Sequence, residues 1–197
     1  MKKLLVGFNL VAILILSSLA FAGVPLDTVQ AQVNQVIDVL RDPSLKAESA
    51  EAAKKEKLRS IADTMFDFKE ISRRTLGRNW KKLDPDQREE FIDLYRELLE
   101  KTYTKRILQY KDEQVVFQKE NMLSERKAEI QCNVITASAE IKMHYRVILK
   151  NGEWRVYDVI VEGVSLIKNY RSQFKEILAR KSPEEMLEIL RKKVGKT

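Results

Sequence analysis

The spacing of apolar residues changes from helical to alternating near residue 110, and that change organises the chain. Val29, Val33, Val36, Ile37 and Leu40 share one face of a predicted helix that Asp27 or Thr28 can cap and that ends before Asp42-Pro43-Ser44. A lysine-rich helical stretch follows. Its apolar side appears late, at Leu58, Ile61, Ala62, Met65 and Phe66, and leads to a break at Gly77. Asp84, Pro85 and Gln87 have the spacing of a capping box with proline in the first helical position. The helix they start carries Phe91, Leu94, Tyr95, Leu98, Leu99, Thr102, Tyr103, Ile107 and Tyr110 on one aromatic-rich face.

Strand-like alternation begins at 115–118 and continues through 126–136. Ile141, Met143, Tyr145, Val147 and Leu149 then alternate with Lys142, His144 and Arg146, which predicts a strand with one wet face. Asn151-Gly152 supplies the positive backbone dihedrals of a type I′ turn, so 140–150 and 153–161 form a predicted hairpin. The return strand carries Trp154, Val156, Tyr157, Val159 and Val161 and ends at Gly163. Two helices close the chain. The first places Val164, Ile167, Tyr170, Phe174 and Ile177 or Leu178 on one stripe; the second starts at the capping box Ser182-Pro183-Glu184-Glu185. Helices, then a meander, then helices predict an α+β fold with helices packed on one face of a curved antiparallel four-stranded sheet.

The N-terminus changes the picture most. Lys2 and Lys3, an apolar run from Leu4 to Leu16, and Ala20-Phe21-Ala22 have the form of a cleaved secretory signal peptide over residues 1–22. The remaining 23–197 is expected to be one exported domain, free in the periplasm, since no Cys marks a lipoprotein anchor at the cleavage point. The 197-residue chain carries 36 Lys and Arg against 29 Asp and Glu, an excess of seven, or five once the leader's two lysines are gone. Export argues against nucleic acid as a partner. A mild positive excess steers a protein toward anionic lipid headgroups, or simply keeps it soluble. Cys132 is the only cysteine, so no internal disulfide is possible, and its alternation with Ala128, Ile130 and Val134 predicts a buried, inert thiol.

Candidate chemistry is thin. His144 and Cys132 lie on opposite strand faces, which removes a Cys-His dyad, and there are too few soft or imidazole ligands for zinc. No metal site, glycine-rich phosphate loop or catalytic set is predicted. Asp158 and Glu162 are the remaining acid–base candidates: a carboxylate on an apolar strand is a buried base or, the simpler reading, a structural acceptor where the strand turns into a helix.

The stretch from Trp154 to Ile167, with Tyr157-Asp158-Val159-Ile160-Val161-Glu162-Gly163-Val164-Ser165 at its centre, resembles the signature of the periplasmic phospholipid-shuttle proteins of the Mla (maintenance of lipid asymmetry) system, the toluene-tolerance family. Leu76-Gly77-Arg78-Asn79-Trp80 followed by the helix starting at Asp84-Pro85-Asp86-Gln87-Arg88 supports the resemblance, which covers about residues 30 to 195. It implies a fold related to NTF2-like domains with a deep apolar pocket for phospholipid tails. The implied role is non-enzymatic: a monomer, with phospholipid as cargo and no cofactor, moves lipid between an outer-membrane lipoprotein-porin complex and an inner-membrane ABC transporter complex carrying an MCE-domain protein. The lining of such a pocket is expected from the aromatic helix and the hairpin: Phe91, Leu94, Tyr95, Leu98, Leu99, Tyr103, Met143, Tyr145, Val147, Trp154 and Val156, with Leu76 and Ile167 near the closing elements. The competing reading is an NTF2-like enzyme acting on an apolar substrate with Asp158 as base.

Overall fold

The structure, a computed structural model, describes residues 24–109 and 113–196; the predicted leader 1–22 and Tyr110 lie outside the described residues. Helix α1 (Pro25–Arg41) starts earlier than its sequence suggests. Proline occupies the first helical position, and the free amide of Leu26 donates to Glu120 Oε2 at 2.9 Å, so the orphan N–H that an Asp or Thr cap would have taken is satisfied from a strand. Helix α2 (Glu51–Met65) stops because Phe66 turns extended and Asp67 N donates to the Val156 carbonyl at 2.9 Å, pinning the chain to the sheet. Asp67 then caps α3 (Phe68–Leu76), accepting from Glu70 N at 2.8 Å. Gly77, at φ 55°, leads into a 3₁₀ segment, Gly77–Lys82. Both predicted capping boxes are present, at the starts of α4 (Pro85–Leu108) and α6 (Pro183–Val194), while Ser165 caps α5 (Leu166–Arg180).

The sheet is an antiparallel meander, β1 (Gln114–Ser124), β2 (Lys127–Ile135), β3 (Glu140–Lys150), β4 (Glu153–Val161) and β5 (Val164–Ser165), in sequential order. The expected four strands thus gain a two-residue fifth. Glu162 (φ 48°) and Gly163 (φ 78°) make a second tight turn of positive dihedrals, which folds Val164 back onto Val161. Leftward-turning Glu is unusual, so the sequence reads that point as a strand end and assigns Val164 to the helix.

Two apolar clusters hold the fold. One is built by the helices and the link before α4: Ile71, Leu76, Leu83, Phe91, Leu94, Tyr95 and Leu99 meet Tyr170, Phe174 and Leu178 of α5 and Met186, Leu187 and Leu190 of α6. The other joins Val29 and Val33 of α1 and Met65 of α2 to Ala128, Ile130, Val147, Trp154 and Val156 of the sheet. Phe66 packs against both. Helices α1 and α2 therefore cover the sheet, whereas α4 packs chiefly on α6 and α3.

Candidate functional site

Strand register decides which residues share the covered face. Ala128, Ile130, Cys132 and Val134 pair with Val147, Tyr145, Met143 and Ile141, and these pair in turn with Val156, Val159 and Val161; a bulge between Arg146 and Val147 keeps both halves of β4 in phase. On β1, Val115 and Phe117 join the row. Burial then changes along this single face. At the end under α1 and α2, Ala128 and Val147 are 0% exposed and Val156 1%. Toward the other end Ile130 and Cys132 of β2 stay buried, at 0% and 1%, while Ile141, Met143, Tyr145, Val159, Val115, Phe117 and Val134 around them are only partly buried and Val161 is exposed. A row of partly exposed apolar side chains is a surface that an apolar ligand can cover.

Tyr145 is the most telling position. Burial pushes its phenol well above the ordinary tyrosine range, with the Cys132 thiol adding to the shift, so the ring lies deep in the molecule. Yet the side chain keeps accessible surface, and its hydroxyl has no hydrogen-bond partner among the described residues. At the same end of the sheet a crevice of about 480 Å³ opens between α1 and β1, lined by Asn34, Ile37, Asp38, Arg41, Glu113, Gln114, Val115 and Val116. That volume falls in the range of small-molecule pockets. Val115 belongs both to the crevice and to the uncovered face.

The predicted lining divides between the clusters. Leu76, Phe91, Leu94, Tyr95 and Leu99 are buried in the helical cluster, where Phe91, Tyr95, Tyr170 and Phe174 meet ring to ring at 5.1 to 5.5 Å. Burial drives the Tyr95 phenol far up, its hydroxyl lying 3.4 Å from that of Thr75. Leu98 and Tyr103 pack at the margin of that cluster and remain half-exposed. Val147, Trp154 and Val156 sit in the closed half of the sheet face; Met143 and Tyr145 sit in the uncovered half; Ile167 is buried where α5 meets β4. Sequence reasoning missed Val115, Phe117 and Val159. The period-2 pattern of β1 and β4 carried the signal for them, but only register brings them beside Tyr145.

The opposite face holds a charge row. Glu129 accepts from Arg146 Nε at 2.9 Å and lies 3.3 Å from His144 Nδ1; Arg146 Nη1 is 3.9 Å from Asp158. Burial opposes ionisation of Glu129, and the Arg146 guanidinium outweighs it, holding the carboxyl below its usual range. Asp158, 4% exposed, accepts from Ser165 Oγ at 2.7 Å and Ile167 N at 3.1 Å. Both oxygens are engaged in tying β4 to the start of α5, which is a structural role and leaves no lone carboxylate for a base. His144 is half-buried beside Glu129, and Cys132 is buried on the other face, its thiol pushed up to about 11 by burial. Among the described residues no group of three His, Cys, Asp or Glu side chains is placed to hold a metal, and no helix is long and apolar enough to cross a membrane.

Comparison with known proteins agrees with this architecture. A phospholipid-binding protein from Ralstonia solanacearum, solved with a bound phospholipid, superposes with a TM-score of 0.77 over 88% of this chain and 98% of its own, at 22% identity. The intermembrane phospholipid transport system binding protein MlaC of Haemophilus influenzae is 28% identical over 58% of this chain; the match spans 56% of that relative's length. Toluene tolerance protein ttg2D of Pseudomonas putida is 24% identical over 81% of this chain and 75% of its own. The MlaC protein family model matches residues 30–192, and the chain belongs to the MlaC family.

Proposed function

We propose that the protein is a non-enzymatic phospholipid carrier of the periplasm, exported by the leader 1–22, with a single lipid-binding domain over 23–197. It takes acyl chains against the uncovered half of the sheet face, with Met143 and Tyr145 at the centre, Val115, Phe117 and Val159 beside them, and Leu98 and Tyr103 on the helical side. The observation that carries this reading is a row of partly buried apolar side chains around Tyr145, whose hydroxyl has no hydrogen-bond partner among the described residues. Leu76, Phe91, Leu94, Tyr95, Leu99, Val147, Trp154, Val156 and Ile167 then form the rigid walls behind the lining.

A diacyl lipid exposes on the order of 30 methylenes at about 0.8 kcal/mol each, so unassisted transit through water is prohibitive. Contact with branched and aromatic side chains restores roughly what the bilayer offered, and the small remaining difference lets lipid pass in either direction. That chemistry needs no nucleophile, base or metal. In the family's setting the monomer exchanges lipid between the outer-membrane lipoprotein-porin complex and the inner-membrane ABC transporter complex with its MCE-domain protein.

Native mass spectrometry of gently purified protein tests the reading. Near-equimolar phospholipid is the expected result; protein that is consistently empty, from cells rich in phospholipid, overturns it.

A further inference from the structure

Cations without a carboxylate partner among the described residues gather where the 3₁₀ segment meets α5. The 3₁₀ segment Gly77–Lys82 presents Arg78, Lys81 and Lys82, all exposed, and α5 presents Lys168, Arg171 and Lys175 at positions three and four apart on one exposed stripe. None of the six forms an ion pair with a carboxylate among the described residues. The two sets form one surface. The 3₁₀ segment packs on α5, Arg171 donates to the Arg74 carbonyl from Nε at 3.1 Å and Nη2 at 2.6 Å, and a Cβ on Gly77 would lie 3.9 Å from Arg171 Nε. Residues 73–82 hold five cations and no anion; the next carboxylate, Asp84, is committed to the cap of α4.

An amphipathic anchor stands inside this patch. Trp80 is half-buried against the helical cluster, its carbonyl accepts from Arg88 Nε at 3.1 Å, and the Arg88 guanidinium lies 5.6 Å from its ring. A tryptophan fixed at the rim of a cationic surface suits the headgroup layer of a bilayer, where its apolar ring and polar N–H are both satisfied.

We propose that this face, Arg78, Lys81 and Lys82 with the α5 stripe Lys168, Arg171 and Lys175, docks the protein reversibly on anionic phospholipid bilayers with Trp80 at the interface. The surface is separate from the interior face and does not depend on what fills it. Unpaired cations clustered within a Debye length of a headgroup layer, about 8 Å at physiological salt, act together, whereas the same charges spread over the surface act weakly. Each contributes about fivefold to partitioning on an anionic membrane.

Flotation of the protein with vesicles tests this, comparing pure phosphatidylcholine with equal parts phosphatidylcholine and phosphatidylglycerol. The wild-type protein is expected to float with the anionic vesicles only and to be released by high salt. Arg78→Glu, Lys81→Glu and Lys82→Glu together should lower anionic partitioning by about a hundredfold or more. An equal charge change placed elsewhere, Lys105→Glu, Lys119→Glu and Lys192→Glu, should lower it by only a few-fold. Absence of wild-type binding to anionic vesicles, undiminished binding of the first triple variant, or equal losses in both triple variants each overturns the proposal. Circular dichroism of both variants confirms that they are folded.

Discussion

Tryptophan placed at Met143 and at Val147 separates a hollow face from a filled one. The two residues lie on one strand face, four residues apart with Tyr145 between them, but Val147 is 0% exposed between Ala128 and Val156, while Met143 keeps accessible surface. Overpacking a closed core costs about 1–3 kcal/mol, occasionally more. For a chain of this size each kcal/mol lowers Tm by about 2–4 °C, so Val147→Trp should lose roughly 5 °C or more. Met143→Trp should stay within about 2 °C of wild type, because the added ring enters space and displaces no side chain. The cost appears in the cargo. A ring that excludes about four methylenes forfeits about 3 kcal/mol of lipid contact, more than a hundredfold in retention. Differential scanning calorimetry on delipidated protein and lipid quantification on gently purified protein give the two readouts. Equal thermal losses in both variants, with lipid retained in Met143→Trp, would refute the reasoning.

Three further outcomes follow from particular contacts. Glu70 is buried, which opposes its charge, but Arg73, Arg74 and Lys150 outweigh burial and hold it at about 2 against an ordinary 4.5. Because the folded value is the lower one, its stabilisation is complete above the ordinary value and disappears as pH falls toward 2; Glu70→Gln should cost about 3 kcal/mol at pH 7 by urea titration, a difference that shrinks steadily below about pH 5. Asp158→Ala should destabilise by about 1–3 kcal/mol, through the unmet Ser165 hydroxyl and Ile167 amide, while native mass spectrometry still finds lipid on the folded fraction; loss of lipid with stability intact would contradict a purely structural role. Cys132, 1% exposed with its thiol raised to about 11, should react with iodoacetamide only after denaturation, and fast alkylation of the folded protein would contradict its burial.

Local signals made much of the fold legible. The boxes at Asp84–Gln87 and Ser182–Glu185, the Asn151-Gly152 turn and the alternation of Ile141 to Leu149 all act within a few residues, and each forms as its chemistry requires. What escaped depends on contacts distant in sequence. The start of α1 is satisfied by Glu120, 94 residues away; the end of α2 is set by a bond to Val156; the ion cluster of Asp67 and Glu70 with Lys150 joins residues 80 or more apart. The site shows the same division. Alternation separated the apolar face of β3 from its charged face, yet it could not show that Val147 is fully buried while Met143 keeps accessible surface. Helical periodicity likewise grouped Phe91 and Tyr95 with Leu98 and Tyr103, and only the positions of α5 and α6 separate a closed aromatic cluster from its half-exposed margin.

The central claim is that acyl chains lie against the uncovered half of the sheet face. Loading the protein with a phospholipid that carries a photoreactive group along its acyl chain, followed by peptide mapping of the cross-links, tests it most directly. Adducts are expected on Phe117, Met143, Tyr145 and Val159; adducts confined to surface residues, or none on these strands while lipid is bound, would contradict that placement.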